Sequence, residues 1–237
     1  MLKPIASAVA LVLLASVHVP GREATQGSVI VVDSEADLPD TNPFDGVCAT
    51  SVGTCTLRAA VQTMNMRAVA GTVVLPAGVY QLAIPHDPDN ESDANGDLEI
   101  VGGDIVGAGA KSTIIDGGGL DRIFELGDAN IHISGVTLRN GFAQDGGAIS
   151  NVFEGLLYLT DVEVTGNTAT RNGGGIHTLV GHTYLTNVTL GGEHGGGSRR
   201  RGDDPQGRPE RHDQWKRRAV WRRRFRSVGR GQCDDCR

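Results

Sequence analysis

The chain has 237 residues, of which 34 are glycine and only 4% are aromatic. Glycine at about twice its usual share disfavours a helical bundle and favours short strands joined by tight turns, and no G-X-Y period is present, which excludes collagen. The net charge of −6 divides unevenly: residues 1–190 hold 8 Lys and Arg against 21 Asp and Glu, whereas residues 191–237 hold 14 against 7, so the last segment differs in kind from the unit before it.

In chain order, Met1-Leu2-Lys3 and the apolar run Ile5 to Val17 read as an export signal over residues 1–24, because a run of this length is too short to span a bilayer comfortably. An uncleaved anchor is the alternative, and no other segment reaches transmembrane length. Export permits disulfides. Cys48 and Cys55 enclose a short polar loop that suits a local bridge, with two free thiols as the alternative. Residues 28–33 read as a strand. Leu57, Ala60, Val61 and Met64 fall at i, i+3, i+4, i+7 and mark a helix face, with Thr56 placed to cap it. Residues 72–75 and 79–82 read as strands around Pro76-Ala77-Gly78.

Asp45-Gly46-Val47-Cys48, then Cys55-Thr56-Leu57-Arg58-Ala59-Ala60-Val61, then Val73-Val74-Leu75-Pro76-Ala77-Gly78-Val79-Tyr80 resemble the N-terminal CSLREA (CSLREAI) domain. Gly96-Asp97-Leu98-Glu99-Ile100 and Thr113-Ile114-Ile115-Asp116-Gly117-Gly118-Gly119 look like the same family, and the resemblance covers roughly residues 28–190. It implies an exported bacterial protein in which this module precedes a right-handed parallel β-helix of the pectin-lyase type. The family usually has Glu where this chain has Ala59, so the return hydrogen bond of a capping box is lost at that helix start.

An internal repeat supports the fold independently. Ile131-His132-Ile133-Ser134-Gly135-Val136 recurs as Leu157-Tyr158-Leu159-Thr160-Asp161-Val162 and as Thr183-Tyr184-Leu185-Thr186-Asn187-Val188, each step being 26 residues. Gly135, Asp161 and Asn187 are types that tolerate a left-handed bend. A further strand follows each glycine turn, at Gly146-Gly147-Ala148-Ile149 and Gly173-Gly174-Gly175-Ile176. Three strands and two bends per repeat predict one coil of a β-helix, with Ile131, Ile133, Leu157, Leu159 and Leu185 inward. The expected fold is therefore all-β, a parallel β-helix with an N-terminal capping helix and a disordered basic tail. The expected organisation is a signal over 1–24, a capping module over 25–85, an acidic loop over 86–97 and coils over 98–190.

The repeat is expected to stop at Leu190. Gly192-Glu193-His194-Gly195, written GGG GAA CAC GGC, reads one base later as Gly-Asn-Thr and an Ala codon, which puts asparagine one repeat after Asn167. Residues 191–237 are accordingly expected to be the product of a frameshift, or else a disordered tail. Trp215, Trp221 and Phe225 among the arginines superficially suit single-strand binding, but no nucleic-acid-binding module is recognisable and no nucleic-acid partner is expected. Cys233 and Cys236 form a lone CxxC, a weak signal for zinc.

Candidate sites are few. His132, Tyr158 and Tyr184 share one outward position in three coils; they are a candidate sugar-stacking stripe, with ordinary cross-coil stacking as the plainer reading. Asp116, Asp121, Asp145, Asp161 and Glu163 are weighed as a glycosidase-like carboxylate pair, although no spacing demands one and no catalytic residue is assigned. A lyase needs a strong cation, and residues 98–190 offer only Lys111, Arg122, Arg139 and Arg171. Asp87, Asp89, Asp93 and Asp97 crowd one loop as candidate calcium ligands, outside any EF-hand register; no other cofactor is expected. The resulting expectation is a secreted or cell-surface structural and adhesion module that meets surface polysaccharide or cell-envelope components. A carbohydrate-active β-helix enzyme is the alternative.

Overall fold

The computed structural model describes residues 28–67, 71–89 and 93–196. The expected signal segment, and the tail beyond residue 196, lie outside them. The chain winds as a parallel β-solenoid of about four turns. Strand β1 (Val29–Val31) is followed by the only α-helix among the described residues, α1 (Leu57–Asn65), and then by β2 (Thr72–Leu75), β3 (Gly78–Gln81) and β4 (Leu98–Ile100). The next coil holds β5 (Gly103–Gly107), β6 (Thr113–Asp116) and β7 (Phe124–Leu126). The third coil holds β8 (Ile131–Ser134), β9 (Thr137–Arg139), β10 (Phe142–Asp145) and β11 (Ile149–Asn151). The fourth holds β12 (Leu156–Thr160), β13 (Glu163–Thr165), β14 (Thr168–Asn172) and β15 (Ile176–Thr178), and a fifth is begun by β16 (His182–Thr186), β17 (Thr189–Gly191) and β18 (His194–Gly195).

All of these strands pair in parallel with their counterparts one coil away, in four sheets. The first runs β1-β2-β5-β8-β12-β16, the second β3-β6-β9-β13-β17, the third β10-β14-β18 and the fourth β4-β7-β11-β15. A complete coil thus has four strands, one more than the repeat predicts. The extra strand faces inward only with Ala143 or Ala169, too little apolar alternation to mark it in the sequence. Ile131, His132 and Ile133 pair in register with Leu157, Tyr158 and Leu159, and Leu157, Tyr158 and Leu159 with Thr183, Tyr184 and Leu185, as the 26-residue step requires. In the fourth sheet the step is one longer, Ile149 facing Ile176, and a register shift between Ala143 and Asp145 in the third sheet absorbs the extra residue.

The core is a set of ladders. Ile30, Val73, Ile105, Ile133 and Leu159 stack in one column, and Tyr80, Ile115, Leu138 and Val164 in another; all are buried. Each column ends on an exposed leucine, Leu185 (49%) and Leu190 (52%), because no described coil follows. At the other end α1 packs against β1, β2 and β4. Thr56 caps it, its Oγ1 accepting from the Ala59 N–H at 3.1 Å and donating to the Leu38 carbonyl at 2.6 Å. Cys48 and Cys55 form a disulfide with a Cα separation of 5.2 Å, closing the loop before this helix. No helix among the described residues is long and apolar enough to cross a membrane.

The coils continue past Leu190, where the repeat was expected to stop. Gly192 has φ +67°, matching Gly166 at +65° one coil earlier, and the Gly196 N–H donates to the Ala169 carbonyl at 2.8 Å. Backbone pairing needs no particular side chain, so two glycines at the bend suffice to extend the ladder.

Candidate functional site

The outward-facing side chains stack in columns of their own. Asp104, His132, Tyr158 and Tyr184 share one. The Asp104 carboxylate lies 3.0 Å from His132 Nδ1, and the rings follow at centroid separations of 4.6 and 5.0 Å with planes tilted by 20° and 12°. The stripe is therefore present where the repeat placed it. Its rings face one another, however, so the π-faces a sugar would stack on are occupied, and edges point outward. Only the two end faces of the stack are not covered by a ring within it, that of Tyr184 and that of His132 beside Asp104.

The candidate carboxylates separate into paired groups and one exception. Arg139 Nε donates to Asp116 Oδ2 at 2.8 Å, and Asn140 Nδ2 donates to both Asp116 oxygens at 3.0 Å. Burial works to raise the Asp116 pKa, but the Gly118 N–H, Arg139 and Asn140 outweigh it and hold the carboxyl below its ordinary value. Asp145 is half-buried; desolvation works to raise its pKa, and hydrogen bonds from Arg171 and Asn172 with the charge of Arg171 hold it low. Asp161 occupies the bend at φ +55° and accepts from Asn187, which is the turn role its sequence neighbours suggest. Glu163 lies on the outer face between Thr137 and Thr189. Of the four candidate cations, Arg122 pairs with Asp97 and Glu125, Arg139 with Asp116 and Arg171 with Asp145.

Asp121 is the exception. Its burial, and then the charge of Asp97, push its pKa up against the Arg122 N–H and the charges of Arg122 and His86. Asp121 and His86 line a depression with Leu120, Phe142, Gln144 and Thr170. A second depression holds Gln81, Asp116, Asn140, Phe142 and Thr168. Phe142 lines both, so the two adjoin at its side chain and together make an open groove at the start of the third sheet. The groove has a structural origin: β10 is the first strand of that sheet, and the loops of the two preceding coils overhang it, with the Asp121 carbonyl accepting from the Phe142 N–H at 3.0 Å.

The four aspartates of the acidic loop are not gathered into a ligand set. Asp87 and Asp89 are exposed, Asp97 is buried beside Arg122, and the Asp87 Oδ1 accepts from the Asp89 N–H at 3.0 Å. Among the described residues no three His, Cys, Asp or Glu side chains converge on a metal-sized position.

Two features escaped sequence reasoning. The first is the groove itself, whose lining comes from residues 81 to 170 and has no local motif. The second is Asn167, fully buried, whose Oδ1 accepts from the Gly141 N–H at 2.8 Å while Nδ2 donates to the Leu138 carbonyl at 3.1 Å. One coil on, Glu193 takes the equivalent place, and its carboxylate accepts from the Asn167 N–H and Nδ2. Burial raises the Glu193 pKa despite those two bonds and the charge of His194. The spacing of Asn167 from position 193 was the signal that could have found this ladder. Compared with known proteins, the chain matches no family model, no curated protein and no solved structure.

Proposed function

We propose that this chain is an exported structural and adhesive β-solenoid module of the CSLREA type, directed outward by residues 1–24, winding right-handed and meeting cell-envelope polysaccharide. The observation that carries the reading is the commitment of its charged side chains. Arg139 holds Asp116 and Arg171 holds Asp145 across coils, while Arg122 faces Asp97 one coil earlier and Glu125 within its own, as in a scaffold, which leaves a lyase none of these arginines as a free cation. The Cys48–Cys55 bridge suits an oxidising compartment. The second reading, a carbohydrate-active enzyme, draws on one fact: Asp116 and Asp121 line the same groove with pKa values moved in opposite directions, the pattern of an acid–base pair.

Incubating the protein with purified envelope preparations and soluble polysaccharides separates the two. The adhesive reading expects co-sedimentation with envelope material and no new reducing ends or unsaturated products. Product release that Asp121→Asn abolishes replaces it with the enzymatic reading. Absence of both binding and turnover removes both.

A further inference from the structure

We infer that the groove crossing Phe142 is a binding site for an uncharged polysaccharide chain; the inference rests on the adhesive reading and names its site and ligand class. The groove comprises two open depressions of about 460 and 370 Å³ that adjoin at Phe142, a surface along which an extended chain can lie rather than an enclosed pocket for a small molecule. Phe142 is 43% exposed and, unlike the His132 ladder, stacks on no other ring among the described residues. A free aromatic face between two polar hollows matches the apolar face and hydroxyl rim of a pyranose.

The polar lining supports the same ligand. Most polar side chains near this corner are used internally, Asn140 on Asp116 and Asn167 on the Gly141 backbone. By contrast, the side chains of Gln81, Gln144, Thr168 and Thr170 make no hydrogen bond among the described residues. Amides and hydroxyls both donate and accept, as vicinal sugar hydroxyls require.

The charge of the lining sets the class. Its carboxylates are Asp116 and Asp121, and His86 is its only basic side chain. The guanidiniums beside it are committed to carboxylates, Arg139 to Asp116, Arg122 to Asp97 and Glu125, and Arg171 to Asp145. A single histidine that already faces Asp121 does not balance a row of uronate carboxylates, whose desolvation beside Asp121 is unfavourable.

The test is affinity electrophoresis of the full chain through gels containing a soluble β-glucan, a mannan, a xylan or polygalacturonate, with envelope co-sedimentation measured alongside. The expected result is retardation by at least one neutral polymer, weakened about tenfold or more by Phe142→Ala, weakened also by Gln144→Ala, and not competed by polygalacturonate. The melting temperature of Gln144→Ala should match the parent, and that of Phe142→Ala should fall by only about a few degrees, since its side chain is partly exposed. Retardation that neither variant changes, or polygalacturonate binding of equal strength, overturns the assignment. Envelope binding without retardation by any neutral polymer overturns the groove and leaves the adhesive reading standing. Loss of both overturns both.

Discussion

Asp116 and Asp121 stand on one groove, yet their surroundings move their proton affinities in opposite directions, so each should leave its own mark on stability against pH. The Asp116 carboxyl sits below its ordinary value because hydrogen bonds to Gly118, Arg139 and Asn140 favour the charged form over the opposing effect of burial. Its contribution is present above the unfolded-state pKa and is lost as pH falls through the depressed folded one. Asp116→Asn should cost about 1–3 kcal/mol at neutral pH, and the gap should close in acid. Asp121 is raised by burial and by Asp97. Its charged form opposes folding, and that penalty grows as pH rises from the unfolded pKa through the raised folded one. Asp121→Asn should therefore stabilise the protein at neutral pH and lose its advantage in acid. Thermal melts of the two variants from acid to neutral pH decide the matter, and slopes of the same sign would sink the assignment.

At the scale of the element, α1 was legible because its apolar spacing is local, and Thr56 because capping is a one-turn affair. What ties the helix to the solenoid was not legible. Arg58 is fully buried; its Nε and Nη2 donate to Asp37 at 2.7 and 3.1 Å, and Nη2 also donates to the Gly96 carbonyl at 2.9 Å. Asp37 Oδ2 in turn accepts from the N–H groups of Ala83 and Ile84. These partners lie 21 and 38 residues from Arg58 along the chain, beyond any periodicity. A single guanidinium thus joins the helix to both ends of the acidic loop that overhangs the groove. Arg58→Ala strands the Asp37 carboxylate in the interior and should cost about 3–5 kcal/mol, read as a lower urea midpoint. A loss within the range of surface substitutions would mean that the pair is solvated and the loop held by other contacts.

The strands divide in the same way. From β8 onward the first two sheets keep the 26-residue step, which is what made the repeat readable. Earlier coils do not: Ile105 pairs with Ile133, Ile115 with Leu138 and Phe124 with Ile149, each at a different separation, and among the described residues no strand of the third sheet precedes β10. Loops of unequal length leave register intact in space while erasing it from the sequence. The groove arises at that change, which is why the least periodic part of the chain carries the candidate site.

For the whole molecule, stability is a sum over stacked coils, each held by its neighbours. Ile133, Leu159 and Leu185 occupy one column in successive coils, which makes the column a gauge of what lies above and below. Leu159 is fully buried between two coils, whereas Leu185 is half exposed on the last described one. Leu159→Ala removes contacts on both sides and leaves a cavity, so it should cost about 2–5 kcal/mol. Leu185→Ala removes contacts on one side only and should cost less than half as much, since its outer face already meets solvent. Equal costs at the two positions, measured by urea denaturation of the full chain, would show that something covers the fifth coil in solution. The ratio of the two losses therefore reports the state of that end directly, because residue type, strand position and register are the same and only the coil above differs.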